Sequence, residues 1–448
     1  MSIAREGGIA RAFPFPRPVC GRKGDGGLLK MKILIGKTLH TYGESPFILD
    51  IDRQQFRHAW LLGKSGTGKS TLLKTIAIGI VRAGFGLAII DPHGDLVHDV
   101  LNSVPAKRLK DISYIDPESE RAPDIGLFDN PDKERATQTL MSILEAKAGT
   151  GWGPETAHIL RAATDAVLEL LPNPSILEIY KILVRPQYAE RLLQKSKNPL
   201  VQDFYQQYFK DLKPLERARN FSHPLNKIEE LMRPGIREFI CQKKPMNFQR
   251  ILDKQKILLC RIPKGTMGDR PAKVLGSLIL SKLNLTSFRR RKRSRPFFII
   301  VDEIHNFIGG IDFETMLAES RKYGIHYIFA TQTLQQMREA GQHNEGIAFG
   351  NCSHIFSLRV SADDAEQIAK NFGDESTAPE LTMLPNYTFK ALTMNDGLPV
   401  ASNPVALTNN PKPSGDEVPA RKAMAWAKDN TGTPKDQIQK QIMKALQN

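Results

Sequence analysis

The chain contains the glycine-rich segment Gly63-Lys64-Ser65-Gly66-Thr67-Gly68-Lys69-Ser70-Thr71. It matches G-x-x-x-x-G-K-[ST], the pattern of the phosphate-binding loop. The glycines let the backbone take positive φ angles and turn its N–H groups inward around an anion. Lys69 then supplies a positive charge for the β- and γ-phosphates, and the Ser70 hydroxyl is a ligand for Mg²⁺. The whole stretch is therefore predicted to bind a nucleoside triphosphate.

The residues on either side of this loop have the patterns of a strand and a helix. Ala59–Leu62 is a short apolar run, and Thr71–Arg82 has apolar residues at helical spacing. Gly86–Asp91 is a second apolar strand that ends on a carboxylate. Strand, helix and strand in this order form a βαβ unit whose helix begins at the phosphates. The predicted fold class is α/β, a mainly parallel sheet with helices on both faces.

A second signal lies far along the chain, where the apolar run Phe297–Val301 is followed by Asp302 and Glu303. A continuous apolar run predicts a central, fully buried parallel strand. The two carboxylates are either an acidic loop or a hydrolytic centre. In the second interpretation, Asp302 holds Mg²⁺ and Glu303 is the general base for the attacking water. The phosphate-binding loop in the same chain favours this second interpretation.

Three more polar residues have a structural and a functional interpretation. Gln332 follows the apolar run Ile325–Thr331. It is either a polar cap on that strand or a group that senses the γ-phosphate or positions water. Arg321 ends the preceding helical segment, where it either complements the helix dipole or reaches the nucleotide of a neighbouring subunit as an arginine finger. His93 is either a turn residue or a contact to the phosphates or the next subunit. The pattern alone favours the structural interpretation for Gln332 and Arg321.

Composition bounds the class of protein. The chain has 448 residues, of which 41% are apolar and 25% are charged, as in globular proteins of several domains. No apolar run reaches the length of a membrane span and no signal peptide is visible, so we expect a cytoplasmic protein, free or peripheral to a membrane secretion complex. The cysteines are scattered without metal-ligand spacing, which predicts reduced thiols.

The chain carries a formal net charge of +15. This charge permits a polyanionic partner but does not by itself indicate nucleic acid. The basic run Arg289–Arg295 either binds DNA phosphates or forms a solvated loop. It has no aromatic residues between its charges, so base stacking is not indicated.

Shifts in pattern divide the chain into five segments. Residues 1–30 are rich in Gly, Pro and Arg and are predicted to be a disordered basic terminus, with Met31 as the hypothetical true start. The others are 31–131, an N-terminal β element and the first half of the core; 132–255, an all-helical insertion punctuated by prolines; 256–407, the second half of the core; and 408–448, a linker and C-terminal helices.

Together these motifs resemble the HerA/FtsK superfamily of P-loop DNA-pumping ATPases. Within it, the chain is most similar to the TraG/TraD-type conjugative coupling proteins, with their type IV secretion DNA-binding domain, and to the HerA-like ATPases. The resemblance covers roughly residues 33 to 407 and rests on Leu62–Thr71, Ile90–Leu96, Trp152–Pro154 with Ile159–Arg161, Ile299–Phe307, Arg321–Gly324, Ala330–Gln332, and Leu358–Ser361 with Asp364–Ala365.

The resemblance implies a RecA-like P-loop core and an ATP-driven DNA translocase. It implies a homo-hexameric ring that binds ATP and Mg²⁺ at subunit interfaces and passes DNA, with low sequence specificity, through its channel. It also implies that Arg321 acts as a finger in trans, with Gln332 beside it. The helical insertion would contact DNA or a relaxase complex, and a relaxase or a nuclease is the implied partner.

The sequence departs from the family in one respect, and two other functions are alternatives to DNA translocation. Membrane-bound coupling proteins carry N-terminal transmembrane helices, which this sequence does not show, so no integral membrane segment is predicted. A secretion or pilus-assembly ATPase that acts on protein is the first alternative. The second is a nucleotide-gated DNA-binding module that hydrolyses slowly and recruits a partner.

Overall fold

The computed structural model describes residues 32–40, 43–51, 56–147, 151–395, 398–407 and 415–447. The predicted disordered terminus at 1–30 and the hypothetical start at Met31 lie outside these ranges. Within the described ranges, no helix combines the length and the apolar character needed to cross a bilayer.

Most strands lie where the apolar runs of the sequence predict them. They are β1 Lys32–His40, β2 Gly43–Asp50, β3 Ala59–Leu62, β4 Gly86–Asp91, β5 Ile112–Ile115, β6 Arg121–Ala122, β7 Ile257–Arg261, β8 Phe297–Val301, β9 Ile325–Thr331, β10 His354–Ser357, β11 Thr388–Asn395, β12 Leu398–Ala401, β13 Val405–Leu407 and β14 Thr433–Pro434.

One large sheet joins most of these strands in the order β2-β1-β13-β11-β10-β3-β9-β8-β4-β7-β5. Neighbouring strands are parallel from β10 through β3, β9, β8, β4 and β7 to β5. The pairs β10–β11, β11–β13, β13–β1 and β1–β2 are antiparallel. In this order β9 lies between β3, which carries the phosphate-binding loop, and β8, which carries the two carboxylates. Because the carboxyl ends of parallel strands meet at one edge of a sheet, all three strands deliver residues to the same place.

Helices account for most of the remaining described chain. They are α1 Lys69–Arg82, α2 Asp95–Leu101, α3 Lys133–Lys147, α4 Pro154–Leu170, α5 Ile176–Val184, α6 Pro186–Leu193, α7 Pro199–Tyr205, α8 Pro214–Leu231, α9 Arg237–Ile240, α10 Phe248–Asp253, α11 Lys264–Met267, α12 Asp269–Ser287, α13 Phe313–Ser320, α14 Leu334–Ala340, α15 Asn344–Asn351, α16 Ala362–Phe372, α17 Ala378–Met383, α18 Ala420–Asn430 and α19 Lys435–Gln447.

Each face of the sheet buries its own hydrophobic core. Along β3, Trp60 and Leu62 join one core, while Ala59 and Leu61 join the other, as the period of two in a strand requires. Helix α1 packs in the second core, and helices of the 133–253 region and α12 pack in the first. The predicted α/β class, a RecA-like core with helices on both faces, is therefore confirmed.

Prolines set the starts of the helices between β6 and β7. Pro154, Pro186, Pro199 and Pro214 each stand in the first turn of a helix, where no intrahelical N–H bond is lost. Pro224 differs, because α8 passes through it although the sequence predicts a helix beginning only at Leu225. Pro224 is buried on the same face of α8 as Phe221 and Ile228, so packing outweighs the lost hydrogen bond. The domain boundaries at 132 and 255 stay predictions.

The N-terminal strands are more closely integrated than a separate β element would be. β1 pairs with β2 on one side and with β13 on the other, so the hairpin extends the edge of the large sheet. The C-terminal helices also dock, with Ala423 and Ala427 of α18 in one core and Ile438 and Ile442 of α19 in the other.

Candidate active site

A cavity of about 260 Å³ opens at the carboxyl edge of β3, β8 and β9. Its lining combines the phosphate-binding loop with residues that lie far apart in sequence. The lining residues are Ser65, Gly66, Gly68, Lys69, Ser70, Thr71, His93, Asp302, Glu303, Gln332 and Tyr387. The structure therefore places most of the predicted site residues around one space.

Two of the three glycines in the phosphate-binding loop have the predicted positive φ angles, and Gly63 does not. Gly66 and Gly68 have φ angles of +76° and +113°, and both values lie in the region that favours glycine. Helix α1 begins at Lys69, two residues earlier than predicted, so Ser70 and Thr71 belong to its first turn. The positive end of the helix dipole therefore faces the cavity.

Three residues of the motif shape the loop instead of lining the cavity. The hydroxyl of Thr67 donates to the carbonyl of Lys64 at 2.7 Å, and the backbone N–H of Lys64 donates to the carbonyl of Arg359 at 2.9 Å. Gly63 is fixed by close packing, because a Cβ there would lie 2.8 Å from Cβ of Leu358. These contacts hold the turn of the loop in place.

Lys69 is the buried cation of the site. Its ammonium donates to the carbonyls of Gly63 and, at 3.0 Å, of Lys64. Burial lowers the pKa of Lys69, and the carboxylates of Asp302 and Glu303 act in the opposite direction. A positive charge is thus held between the loop and the two carboxylates, where phosphate oxygens would meet it.

Asp302 is buried directly after β8. Its N–H donates to the carbonyl of Ile90 at 3.1 Å, and its carboxylate accepts the N–H of Glu303 at 3.0 Å. Burial is the main reason why the pKa of Asp302 rises to about 6, and the nearby Asp91 and Glu303 add to the effect. A cation near this carboxylate would offset the cost of burying its charge.

The donor set of the cavity fits Mg²⁺. The Ser70 hydroxyl and the Asp302 carboxylate both line it, and hard oxygen ligands of this kind suit Mg²⁺. The described residues contain no group of three or more His, Cys, Asp and Glu that could hold an ion on its own. Such sparse protein ligation is usual for Mg²⁺, which shares its ligands with substrate phosphates and water.

Glu303 stands at the centre of a hydrogen-bond network. Its carboxylate accepts from Nε2 of Gln332 at 2.8 Å and from Nδ2 of Asn306 at 3.1 Å. Nζ of Lys264 lies 3.0 Å and Nε2 of His93 3.4 Å from the same carboxylate. The backbone of Glu303 is left-handed, with φ 49° and ψ 53°, and such strain in a non-glycine residue is typical of functional sites.

This network fixes Glu303 as an anion. The hydrogen bond with His93 holds the pKa of Glu303 well below its usual range, and the bond with Lys264 adds to this effect. The same interaction raises the pKa of His93. The carboxylate is therefore a firmly placed hydrogen-bond acceptor beside the phosphate-binding loop.

His93 reaches the cavity through the turn that follows β4. The buried carboxylate of Asp91 accepts the N–H groups of His93 and of Val97 at 2.9 and 3.1 Å. The second of these bonds caps the first turn of α2. The turn thereby points His93 at Glu303, so the histidine is more than a turn residue.

Gln332 lies between the two halves of the site. It follows β9, the strand between β3 and β8, and its backbone N–H donates to Oε1 of Gln336 at 2.9 Å. Its amide group lines the cavity and bonds to Glu303. A role as strand cap alone would not place it there.

Arg321 lies at the opposite edge of the sheet. It follows α13 and precedes the N-terminal end of β9, whereas Gln332 follows the other end of this seven-residue strand. At about 3.3 Å per residue, the two ends are roughly 20 Å apart. Arg321 therefore cannot reach the cavity of its own chain.

Part of the basic run has a structural task. Arg290 is buried and donates to the carbonyls of Tyr323, Gly324 and Arg295. The guanidinium of Arg295 lies 4.6 Å from the centre of the Phe85 ring. Arg290 therefore stabilises the chain ahead of β8 and is not available to DNA, whereas Arg295 is exposed.

Three residues of the site are not predicted from the sequence. Lys264 and Asn306 contact Glu303, and Tyr387 lines the cavity. Lys264 comes shortly after the C-terminal end of β7, a position typical of ligand-binding residues in parallel sheets. Asn306 could be predicted from its spacing, because it lies in the same tight turn as Glu303. Tyr387 has no such signal.

Solved structures with the same fold include a conjugative coupling protein and VirB4. The bacterial conjugative coupling protein TrwBΔN70 matches with a TM-score of 0.61 and 14% identity over 83% of this chain and 89% of that one. TrwB in complex with ADP and Mg²⁺ matches with the same score over 88% and 98%. VirB4 of Thermoanaerobacter pseudethanolicus matches with a TM-score of 0.62 and 14% identity over 85% and 96%. No match was found among curated protein sequences.

Family models match both halves of the core. The model described as "Helicase HerA, central domain" matches residues 33–261, which is more than half of the chain. The model described as "TraM recognition site of TraD and TraG" matches residues 296–381. The chain therefore belongs to the family of the HerA helicase central domain and is an ATP hydrolase of the P-loop class.

Proposed function

We propose that the protein is an ATP-driven DNA translocase, a ring motor similar to the coupling ATPases of conjugation and type IV secretion. The proposal rests on the observation that Lys69, Asp302 and Glu303 line the same cavity. Phosphate binding, metal binding and water activation each have a residue there. Family membership and the fold shared with TrwB support the coupling-type assignment.

The loop residues Gly63–Thr71 would bind the phosphates of ATP. Inward N–H groups and Lys69 contact the β- and γ-phosphates, and Ser70 and Asp302 would hold Mg²⁺. This ion, when bound, neutralises charge on the two phosphates. Lys69 and the first turn of α1 place positive charge at the same oxygens.

Glu303 would hold the attacking water. Its carboxylate accepts a hydrogen bond from the water and increases the negative charge on the water oxygen as this oxygen bonds the γ-phosphorus. The bond between that phosphorus and the oxygen that bridges to the β-phosphate breaks, and the proton that the water loses passes by way of the Glu303 carboxylate to the phosphate product or to solvent, which gives ADP and phosphate. Gln332 positions Glu303 through the 2.8 Å hydrogen bond, so its role is orientation.

The site would be completed by a second subunit. Arg321 lies at the edge of the sheet opposite its own cavity, so a catalytic Arg321 must act on the nucleotide of a neighbour. A head-to-tail ring provides this arrangement, and we infer a homo-hexamer. The guanidinium would then stabilise the charge that develops on the γ-phosphate.

Arg321→Ala should abolish steady-state ATP hydrolysis and leave ATP binding unchanged. Mixing this variant with Lys69→Ala subunits should restore activity, because an intact Arg321 from one variant then faces an intact loop of the other. In random rings, up to about a quarter of the interfaces would be complete. The measurement is the ATPase rate across mixing ratios.

Lys322→Ala is the matched control for this experiment. Lys322 is exposed and pairs with Glu319 at 2.7 Å, so its removal changes charge next to Arg321 without touching the proposed contact. The control should keep the wild-type rate. Absence of any recovery at every mixing ratio would contradict a finger in trans.

DNA is the proposed substrate of the motor. The net charge of +15 and the family support a polyanion that is bound through its phosphates, with low sequence specificity and strong salt dependence. A relaxase or a nuclease would deliver or process this DNA, and the helices between residues 132 and 255 are the proposed contact.

The ATPase rate with and without DNA tests this proposal. We expect severalfold stimulation by DNA of unrelated sequences, and loss of stimulation as salt is raised. Turnover that is fast without DNA and unaffected by it would favour a secretion ATPase that acts on protein. Slow turnover under both conditions would favour the nucleotide-gated binding module.

A further inference from the structure

Tyr387 is an aromatic residue at the cavity that has no part in the proposed hydrolysis. It precedes β11, its side chain lines the cavity, and it is 54% exposed. The ring lies against the phosphate-binding loop, because a Cβ on Gly68 would be only 3.0 Å from Cδ1 of Tyr387. A large aromatic surface is therefore open to the cavity beside the first turn of α1.

The backbone of Tyr387 is held in an unusual conformation. Its φ angle is +61°, a left-handed value that is uncommon for a bulky residue and costs free energy. Its N–H donates to the carbonyl of Thr67, and its carbonyl accepts the N–H of Leu407, both at 2.8 Å. The fold thus keeps Tyr387 in a strained position attached to the loop.

Arg359 ties the segment ahead of Tyr387 to the same loop. Its guanidinium donates to Oδ1 of Asn386 at 2.7 Å and to the carbonyl of Leu384 at 3.3 Å. Its own carbonyl accepts the N–H of Lys64 at 2.9 Å. The backbone of Tyr387 is therefore fixed relative to the phosphate-binding loop.

The order of the strands determines which end of the cavity each part of the nucleotide would occupy. Glu303 and Gln332 follow β8 and β9 on one side of β3, and Tyr387 precedes β11 on the other side, beyond β10. If the γ-phosphate faces Glu303, the nucleotide must extend across the loop toward the opposite side. Its base then arrives where Tyr387 exposes its ring.

We propose that the Tyr387 ring stacks on the nucleobase of the bound nucleotide. This inference rests on the proposed function, since it requires a nucleoside triphosphate in the cavity. Stacking on an aromatic ring tolerates any base, because every base has a π-face. Tyr387 is thus a residue that binds and positions the nucleotide, and its task is separate from hydrolysis.

Binding of Mg²⁺–ATP and of Mg²⁺–tripolyphosphate to the full chain, measured by titration calorimetry, tests the proposal. Tyr387→Asn removes the ring and keeps a residue that tolerates the left-handed backbone. It should bind ATP about tenfold more weakly, within the range for loss of one base–aromatic stack, and bind tripolyphosphate like the wild type. Tyr387→Phe keeps the ring and should bind both ligands normally.

Two outcomes would overturn the role of Tyr387 alone. Undiminished ATP binding by Tyr387→Asn would mean that the ring does not touch the base. An equal loss of ATP and tripolyphosphate binding would mean that Tyr387 supports the phosphate-binding loop. If the wild type bound neither ligand, the proposed function itself would fail, and the inference would fail with it.

Discussion

Replacing Lys69 with alanine is expected to abolish ATP hydrolysis, with a loss on the order of 10²–10³-fold or more. The ammonium is buried at the first residue of α1 and faces the cavity. No other lysine lines that cavity in the described part of the chain. Steady-state turnover and equilibrium binding of ATP would both be measured.

Lys74→Ala is the matched control for Lys69→Ala. It removes a lysine from the same helix, where Lys74 pairs with Asp99 at 2.9 Å and lies outside the cavity lining. This variant should hydrolyse ATP at the wild-type rate. Wild-type turnover by Lys69→Ala would show that nucleotide is bound elsewhere.

Replacing Glu303 with glutamine is expected to separate binding from hydrolysis. The side chain keeps its size, but the charge that accepts from the attacking water is lost, so the chemical step should slow by about 10²–10⁴-fold. ATP should still bind through the loop residues. Single-turnover hydrolysis and retention of bound ATP after removal of free nucleotide would show this difference.

Glu319→Gln is the control for the change at Glu303. Glu319 is an exposed carboxylate on α13 that pairs with Lys322, so its neutralisation should leave hydrolysis unchanged. Hydrolysis at the wild-type rate by Glu303→Gln would mean that another group activates the water.

The sequence predicts those parts of the fold that depend on local patterns. β3, β4 and β8 are continuous apolar runs because both faces of a central parallel strand are buried. Their ends carry the loop and the carboxylates, so Lys69, Ser70, Asp302 and Glu303 can be identified before the structure is known. The strand order that brings them together follows only from the resemblance.

Contacts between distant residues are harder to predict. The salt bridge from Lys264 to Glu303 and the approach of Tyr387 to Gly68 depend on which strands become neighbours. No periodicity encodes these approaches. In the same way, a run of arginines suggests a solvated or DNA-binding loop, yet packing buries Arg290 because its guanidinium satisfies several backbone carbonyls.

Local rules also fail where packing outweighs them. Pro224 predicts a break, but the apolar face that it shares with Phe221 and Ile228 keeps α8 continuous. At Arg321, by contrast, the local pattern does not fail but leaves open where the helix terminus lies relative to the cavity. Its sequence context favours a helix terminus, and only the sheet shows that this terminus faces away from its own cavity.

Displacement of streptavidin from biotinylated DNA ends tests whether the protein moves along DNA. Single strands and duplexes with the block at either end would be compared, with Glu303→Gln as the inactive control. We predict displacement that requires ATP, occurs with at least one of these tracks and is absent in the control. Vigorous ATP hydrolysis with no displacement on any track would contradict movement along DNA.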